Sequence, residues 1–302
     1  MDRQFQSTYY PQYTGYHPQY YPQYTGYHHQ HYPHYPYHHY YPHQQYYHPG
    51  YKVIDKMQPE DKFASIGDYK LHYKQSGTGT QTVVLLHGIP TNSFLWHGVI
   101  PYLSEMYTVI VPDLLGYGLS ERAPQDELAL PNQATHILKL LDTLNIQQAH
   151  FVGHDLGGGI VRILSVKYPE RVLSIVVADG VCCANWPLPL VTAIRWPTAP
   201  EFEPGTALIG RMIRGGVHNP EILTPKVMEA FTAPFATPSG PEELKRASLA
   251  LDHHQTEDIV PDLPNLKVPV TLLWGQHDPY TTISLGQETG SVFEKSKHCF
   301  FF

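Results

Sequence analysis

The chain has 302 residues, a formal net charge of −7 and an aromatic content of 13%. That length fits one large domain, or a domain with a tail, and the negative balance argues against a nucleic-acid partner. Three cysteines, two of them adjacent (Cys182, Cys183) and one at Cys299, do not make a disulfide framework; with no apolar segment behind a basic start and no run long enough to span a bilayer, the expectation is a reducing, cytoplasmic setting.

Residues 1–50 hold 15 of the 23 Tyr and 9 of the 20 His, and Tyr-Pro-Gln-Tyr-Thr-Gly-Tyr-His occurs at 10–17 and again at 21–28. Aliphatic residues that could build a core are almost missing and proline breaks both helix and ladder, so this part reads as a disordered tail outside the fold. Its composition fits self-association through tyrosine or weak metal capture through histidine, and nothing more specific.

From residue 51 the character changes. Phe63 to Gly67 and Asp68 to Gln75 alternate apolar and polar residues, which predicts two short antiparallel strands. Thr82 to Leu86 is a continuous apolar run, as expected of a strand buried on both faces, and it ends in His87-Gly88-Ile89-Pro90. A helix is predicted over 93–104, then a second buried strand over 107–112, closed by the Gly-rich turn Asp113 to Ser120. Ala134, Ile137, Leu138, Leu141 and Leu144 fall at helical spacing.

Gln148 to Tyr168 is the stretch around which the rest is arranged. An apolar strand runs into Gly153-His154-Asp155-Leu156-Gly157 and then a helix. This is the pattern G-x-Nu-x-G, in which a sharp strand-to-helix turn lifts the central side chain above the sheet. Glycine flanks the centre because the turn leaves no room for side chains there. The central residue here is a carboxylate.

Val172 to Ala178 is a further strand. Alternating strands and helices, each strand nearly all apolar, predict an α/β fold with a mostly parallel sheet and ligand chemistry at the carboxyl ends of its strands. From 181 to about 265 the alternation stops, and helical segments at 207–213, 225–231 and 242–251 predict a lid inserted after the sixth strand. The expected organisation is therefore a tail over 1–50, a first core part over 51–180, the lid over 181–265 and a second core part over 266–302, with Val268 to Trp274 resuming the sheet.

Taken together, His87 to Trp96, the Asp113 turn, the Asp155 elbow, and Asp278 followed by His298 resemble the α/β-hydrolase superfamily, and within it the aspartate-nucleophile branch of haloalkane dehalogenases and epoxide hydrolases. The resemblance implies Asp155 as nucleophile, Asp278 as the acid that orients a histidine, and His298 as the base. It also implies an oxyanion hole from the backbone N–H groups of Ile89 and Leu156, and no cofactor or metal. Asp179, at the end of the preceding strand, is an alternative acid, because some haloalkane dehalogenases place theirs there. Asp278 also reads as a turn former before Pro279. His253 and His254 fall in the lid and His277 adjoins the acid; His87 and His154 read as structural.

The chemistry agrees with that assignment. A carboxylate attacking an ester carbonyl gives an anhydride, which is uphill; attacking saturated carbon that bears a halide or epoxide oxygen gives a stable alkyl ester, which water can then hydrolyse. The chain departs from both relatives in its leaving-group devices. Dehalogenases of this branch usually carry Asn and Trp where Ile89 and Leu156 stand, and these side chains cannot donate. Epoxide hydrolases use lid tyrosines, and no tyrosine occurs between Tyr168 and Tyr280. Trp186 and Trp196 are the candidate substrate or leaving-group contacts. The expected function is hydrolysis of a small apolar substrate through an alkyl-enzyme ester, dehalogenation ahead of epoxide opening. The alternative is a catalytically impaired or truncated hydrolase-fold binding protein, since the chain stops four residues past His298, before the helix the family places after its histidine.

Overall fold

The computed structural model describes residues 59–184, 186–196, 206–293 and 298–301. The expected tail lies outside the described residues.

Glu60–Ile66 (β1) and Tyr69–Ser76 (β2) pair antiparallel, with Ile66 opposite Tyr69. The connection is two residues long, and Gly67 takes φ 75°, where a side chain would be strained. Thr82–Leu86 (β3) is buried at every position, and Thr108–Pro112 (β4) follows. Between them the expected helix is broken: a 3₁₀ turn covers Ser93–Trp96 and a single α-turn, α1, covers Ile100–Leu103. Gly98 weakens the helix, and Pro101 has no N–H to give to the carbonyl one turn back.

Leu130–Thr143 (α2) buries Ala134, Ile137, Leu138 and Leu141 of the predicted stripe and ends before its last position, Leu144, which is partly buried. Ala149–His154 (β5) leads into Leu156–Lys167 (α3), and Val172–Ala178 (β6) follows. Among the described residues five helices then precede the next strand: Pro189–Ala193 (α4), Thr206–Gly215 (α5), Pro225–Thr232 (α6), Gly240–Leu249 (α7) and His254–Glu257 (α8). Val270–Trp274 (β7), Ile283–Val292 (α9) and His298–Phe301 (β8) complete the described chain.

The sheet has eight strands in the order β1-β2-β4-β3-β5-β6-β7-β8. β1, β2 and β4 pair antiparallel, and every pairing from β4 to β8 is parallel. A large cluster of buried apolar side chains, including Val84, Leu86, Ile137, Leu141, Phe151, Ile160 and Val177, lies between the sheet and α2 and α3. A smaller one with Val83, Leu85, Trp96 and Ile100 covers the opposite face. Each such side chain contributes about 1.5–3 kcal/mol by leaving water. The two layers hold β3, β5, β6 and β7 in register, so their carboxyl ends form one ledge.

Candidate active site

Asp155 stands on that ledge at φ 52°, ψ −116°, a backbone conformation that costs a non-glycine residue about 1–3 kcal/mol and recurs at functional turns. The flanking glycines are required by contact. A Cβ at Gly153 would fall on the carbonyl oxygen of Gly157, and one at Gly157 on that of Leu86. A Cβ at Gly88 would collide with the Asp155 carboxylate itself, so the nucleophile-position side chain packs against bare backbone.

The loop after β3 turns tightly, with the Thr91 N–H donating to Gly88 O at 2.9 Å. That turn aims the Ile89 N–H at Asp155 Oδ2, 2.9 Å away, and the Leu156 N–H also bonds the carboxylate. Burial pushes the Asp155 carboxyl up to about 7, against these two amides and with the charge of Asp278 adding to the rise. His87 is neutral and engaged on both sides. Its Nε2 accepts from the Leu114 N–H at 2.9 Å and its Nδ1 donates to Gly88 O at 3.0 Å; burial holds its pKa down.

Both candidate acids lie at neighbouring strand ends. A methyl at Gly275 would sit 3.7 Å from Asp179 Oδ1 and 3.6 Å from Asp278 Cβ. Asp179 accepts the Gly275 N–H at 2.8 Å, and burial raises its carboxyl to about 6. Asp278 accepts from its own turn, the N–H groups of Tyr280 at 2.6 Å and Thr281 at 3.0 Å, while its charge reaches Asp155, Asp179 and His154. Among the residues whose side chains are described, which exclude His298, no imidazole is hydrogen-bonded to any of the three carboxylates.

The expectation for His298 is corrected by the sheet register. His154 lies level with Ala178, Ala178 with Leu273 and Leu273 with Phe300. Residue 298 therefore enters at the amino end of β8, opposite Thr271. With ordinary strand spacings its backbone is about 10 Å below and about 14 Å across from that of Asp155, beyond any hydrogen bond. The run Cys299-Phe300-Phe301 is itself the strand, so the histidine before it begins the strand instead of capping it.

A family model described as alpha/beta hydrolase fold matches residues 81–207. An alpha/beta hydrolase fold protein from Burkholderia ambifaria superposes with a TM-score of 0.69 at 23% identity, over 80% of this chain and 92% of that one. The chain has the α/β-hydrolase fold. An uncharacterized protein of Mycobacterium tuberculosis is 36% identical over 131 residues, which are 43% of this chain and 38% of that protein. This chain thus matches well under half the length of that relative. The cis-3-alkyl-4-alkyloxetan-2-one decarboxylase of Shewanella oneidensis is 29% identical over 250 residues, 75% of this chain and 76% of that protein.

In this hydrolase fold the segment between β6 and β7 meets the loops that surround Asp155. Asn92 donates to Ala230 O at 2.9 Å, Arg122 to Pro234 O at 2.6 Å, and the ring of Phe94 meets Phe231 edge-on at 5.4 Å. The two tryptophans expected as substrate contacts are placed differently from one another. The Trp186 indole is buried and donates to Thr256 Oγ1 at 2.7 Å, and Trp196 is 66% exposed.

Sequence reasoning missed Tyr117, inside the Gly-rich turn. It is buried, edge-on to His87 at 5.5 Å and to Phe235 at 6.3 Å, and burial together with the Asp155 charge raises its phenol pKa. Its neighbours lie 30 and 118 residues away in sequence, so no local pattern marks it. Ligand atoms of Asp252, His253 and His254 lie within 4.8 Å of one another at the start of α8, but His253 already faces Glu257 at 2.9 Å and His254 faces Asp252 at 2.7 Å. Among the described residues no helix is long and apolar enough to cross a membrane.

Proposed function

We propose that the chain is an enzyme in which Asp155 attacks a saturated carbon and becomes esterified. The observation that carries this reading is the Ile89 amide on Asp155 Oδ2 at 2.9 Å. It holds Oδ2 where the ester carbonyl will lie and leaves Oδ1 to attack, and the Leu156 N–H also bonds the carboxylate. The same two donors would stabilise the oxyanion when water attacks that carbonyl, a contribution of about 3 kcal/mol per donor in a comparable site. Asp278 or Asp179 would serve as the acid that supports the base activating the water, and the segment over 181–265 would act as the lid that excludes bulk solvent.

The substrate is small and apolar, facing the side chains of Ile89 and Leu156. Neither can donate to a leaving group, and the Trp186 N–H is already used. A leaving group that departs as a stable anion fits this site, which ranks carbon–halide bonds ahead of epoxides.

A second reading is favoured by the Shewanella relative. In an oxetan-2-one, attack by Asp155 on the ring carbon bonded to oxygen breaks that C–O bond and frees a carboxylate, driven by ring strain. Loss of carbon dioxide then sends its electron pair into a new carbon–carbon double bond and expels the Asp155 carboxylate. That cycle needs neither a base nor water.

The test is incubation with haloalkanes, epoxides and alkyl oxetan-2-ones, followed by intact mass and analysis of released halide and alkene. An adduct or product that Asp155→Asn abolishes supports the reading, and its leaving group selects between the two substrates. No adduct and no product across the panel would instead favour a binding protein.

A further inference from the structure

Helix α3 packs its apolar side chains into the core, yet it also carries Arg162, which is fully buried. A guanidinium keeps its charge at any ordinary pH, and burying it is costly unless an anion and hydrogen bonds compensate. Nη1 donates to Gly180 O at 3.2 Å and Val181 O at 2.5 Å. Nε and Nη2 find no hydrogen-bond partner among the described residues. The residues that follow Val181 are Cys182 and Cys183.

Cys182 is buried and Cys183 partly exposed. Cys183 takes φ 59°, and its thiol donates to Cys182 Sγ at 3.1 Å. We infer that Cys182 and Cys183 form a redox-active vicinal pair, which a hydroperoxide closes into a disulfide.

The electrostatics agree with the geometry. The hydrogen bond from Cys183 is the largest influence pulling the Cys182 thiol down to about 6; burial opposes it, and the charge of Arg162 and the hydroxyl of Thr289 add to the pull. The same hydrogen bond, burial and its neighbour's charge push the Cys183 thiol up. One proton is thus shared between two sulfurs, and the oxidant reaches the outer one. Cys183 passes its proton to Cys182, and its thiolate attacks the peroxide. An S–O bond forms, the O–O bond breaks, and the departing alkoxide takes the proton from Cys182 to leave as alcohol. The restored Cys182 thiolate attacks the Cys183 sulfenic sulfur and expels hydroxide. Two thiol sulfurs lose two electrons, and the peroxide gains them.

Adjacent Cα atoms are about 3.8 Å apart, shorter than the usual separation across a disulfide, so the ring is strained and easily reduced. Its closure would be felt at the nucleophile. The Val181 N–H donates to the backbone carbonyl of Asp155 at 3.1 Å, one residue before the pair.

The experiment uses the 302-residue chain carrying Cys299→Ser, reduced and then exposed to hydrogen peroxide. Expected is the loss of both alkylatable thiols with a mass decrease of two hydrogen atoms, reversed by a mild dithiol. Cys182→Ser in the same background should leave a sulfenic acid on Cys183 that dimedone captures. Because the pair already holds one negative charge, the rate of closure should change less than about two-fold between pH 7 and 8.5. An ordinary thiol would gain about ten-fold per pH unit over most of that range. Two thiols that stay alkylatable, disulfide found only between chains, or a rate that climbs as for an ordinary thiol would overturn the assignment.

Discussion

His72 Nδ1 donates to Asp113 Oδ2 at 2.7 Å, inside the core and 41 residues away in sequence. On its other side Nε2 donates to Asp61 Oδ1 at 2.9 Å. Burial alone would lower the imidazole's pKa, but the hydrogen bonds and charges of Asp113 and Asp61 raise it to about 8 from 6.5. The contribution to stability is therefore complete below about pH 6.5 and lost as pH rises through 8. A shift of this size corresponds to about 2 kcal/mol. Urea unfolding midpoints at pH 6 and pH 9 should fall in that order, and in an Asp155→Asn background His72→Gln should remove most of the difference.

The Asp155 carboxyl also loses stability as pH rises, in its case because burial penalises the charged form. Its folded pKa of about 7 lies above the unfolded 3.8, so holding it ionised costs stability, from about pH 4 upward and fully above 7. Three pH units set an upper bound of about 4 kcal/mol. Asp155→Asn should raise the melting temperature at pH 8 and leave it nearly unchanged at pH 4. Adduct formation in the unsubstituted protein should rise with pH and reach half its maximum near 7, read by intact mass over time.

The elbow glycines allow a paired test. Gly153→Ala and Gly157→Ala each force a methyl onto a backbone carbonyl oxygen, which should cost about 3 kcal/mol or prevent folding. Gly98→Ala meets nothing within 4 Å and should be neutral or slightly stabilising, within about 0.5 kcal/mol. Chemical denaturation of the soluble variants measures both.

The two tryptophans should separate in the same way. Trp186→Phe removes the donor to Thr256 Oγ1 and should cost about 1 kcal/mol. Trp196→Ala, at an exposed side chain, should change stability by less than about 0.5 kcal/mol. Equal losses in the two variants would contradict the burial difference between them.

The fold was legible where one residue type leaves a single option. The run Thr82 to Leu86 can only be a strand covered on both faces, and Gly153 and Gly157 flank a position that admits no Cβ nearby. The site was legible in part. The order of Asp155, Asp278 and His298 copied a family pattern, but order carries no register, and residue 298 entered β8 at the wrong end. Trp186 looked available because its partner Thr256 lies 70 residues away. The 93–104 helix breaks at 97–99, between the 3₁₀ turn and α1; Gly98 and Pro101 were the signals present in the sequence, outweighed by the apolar spacing around them. Arg162 and His72 sit among apolar neighbours at positions where charge is least expected, and their partners come from other elements.

Asp113 accepts more than the His72 proton. The Ser93 N–H reaches its Oδ1 at 2.6 Å and the Leu119 N–H its Oδ2 at 2.8 Å, so one carboxylate pins the β1–β2 ribbon, the exit of β4 and the segment just downstream of Ile89. Acid strong enough to protonate this keystone would slacken the amide that grips Asp155 at the same moment as the outer ribbon. Loss of the reactive geometry and fraying of the sheet margin would then be a single event, reached from a side chain that never meets substrate.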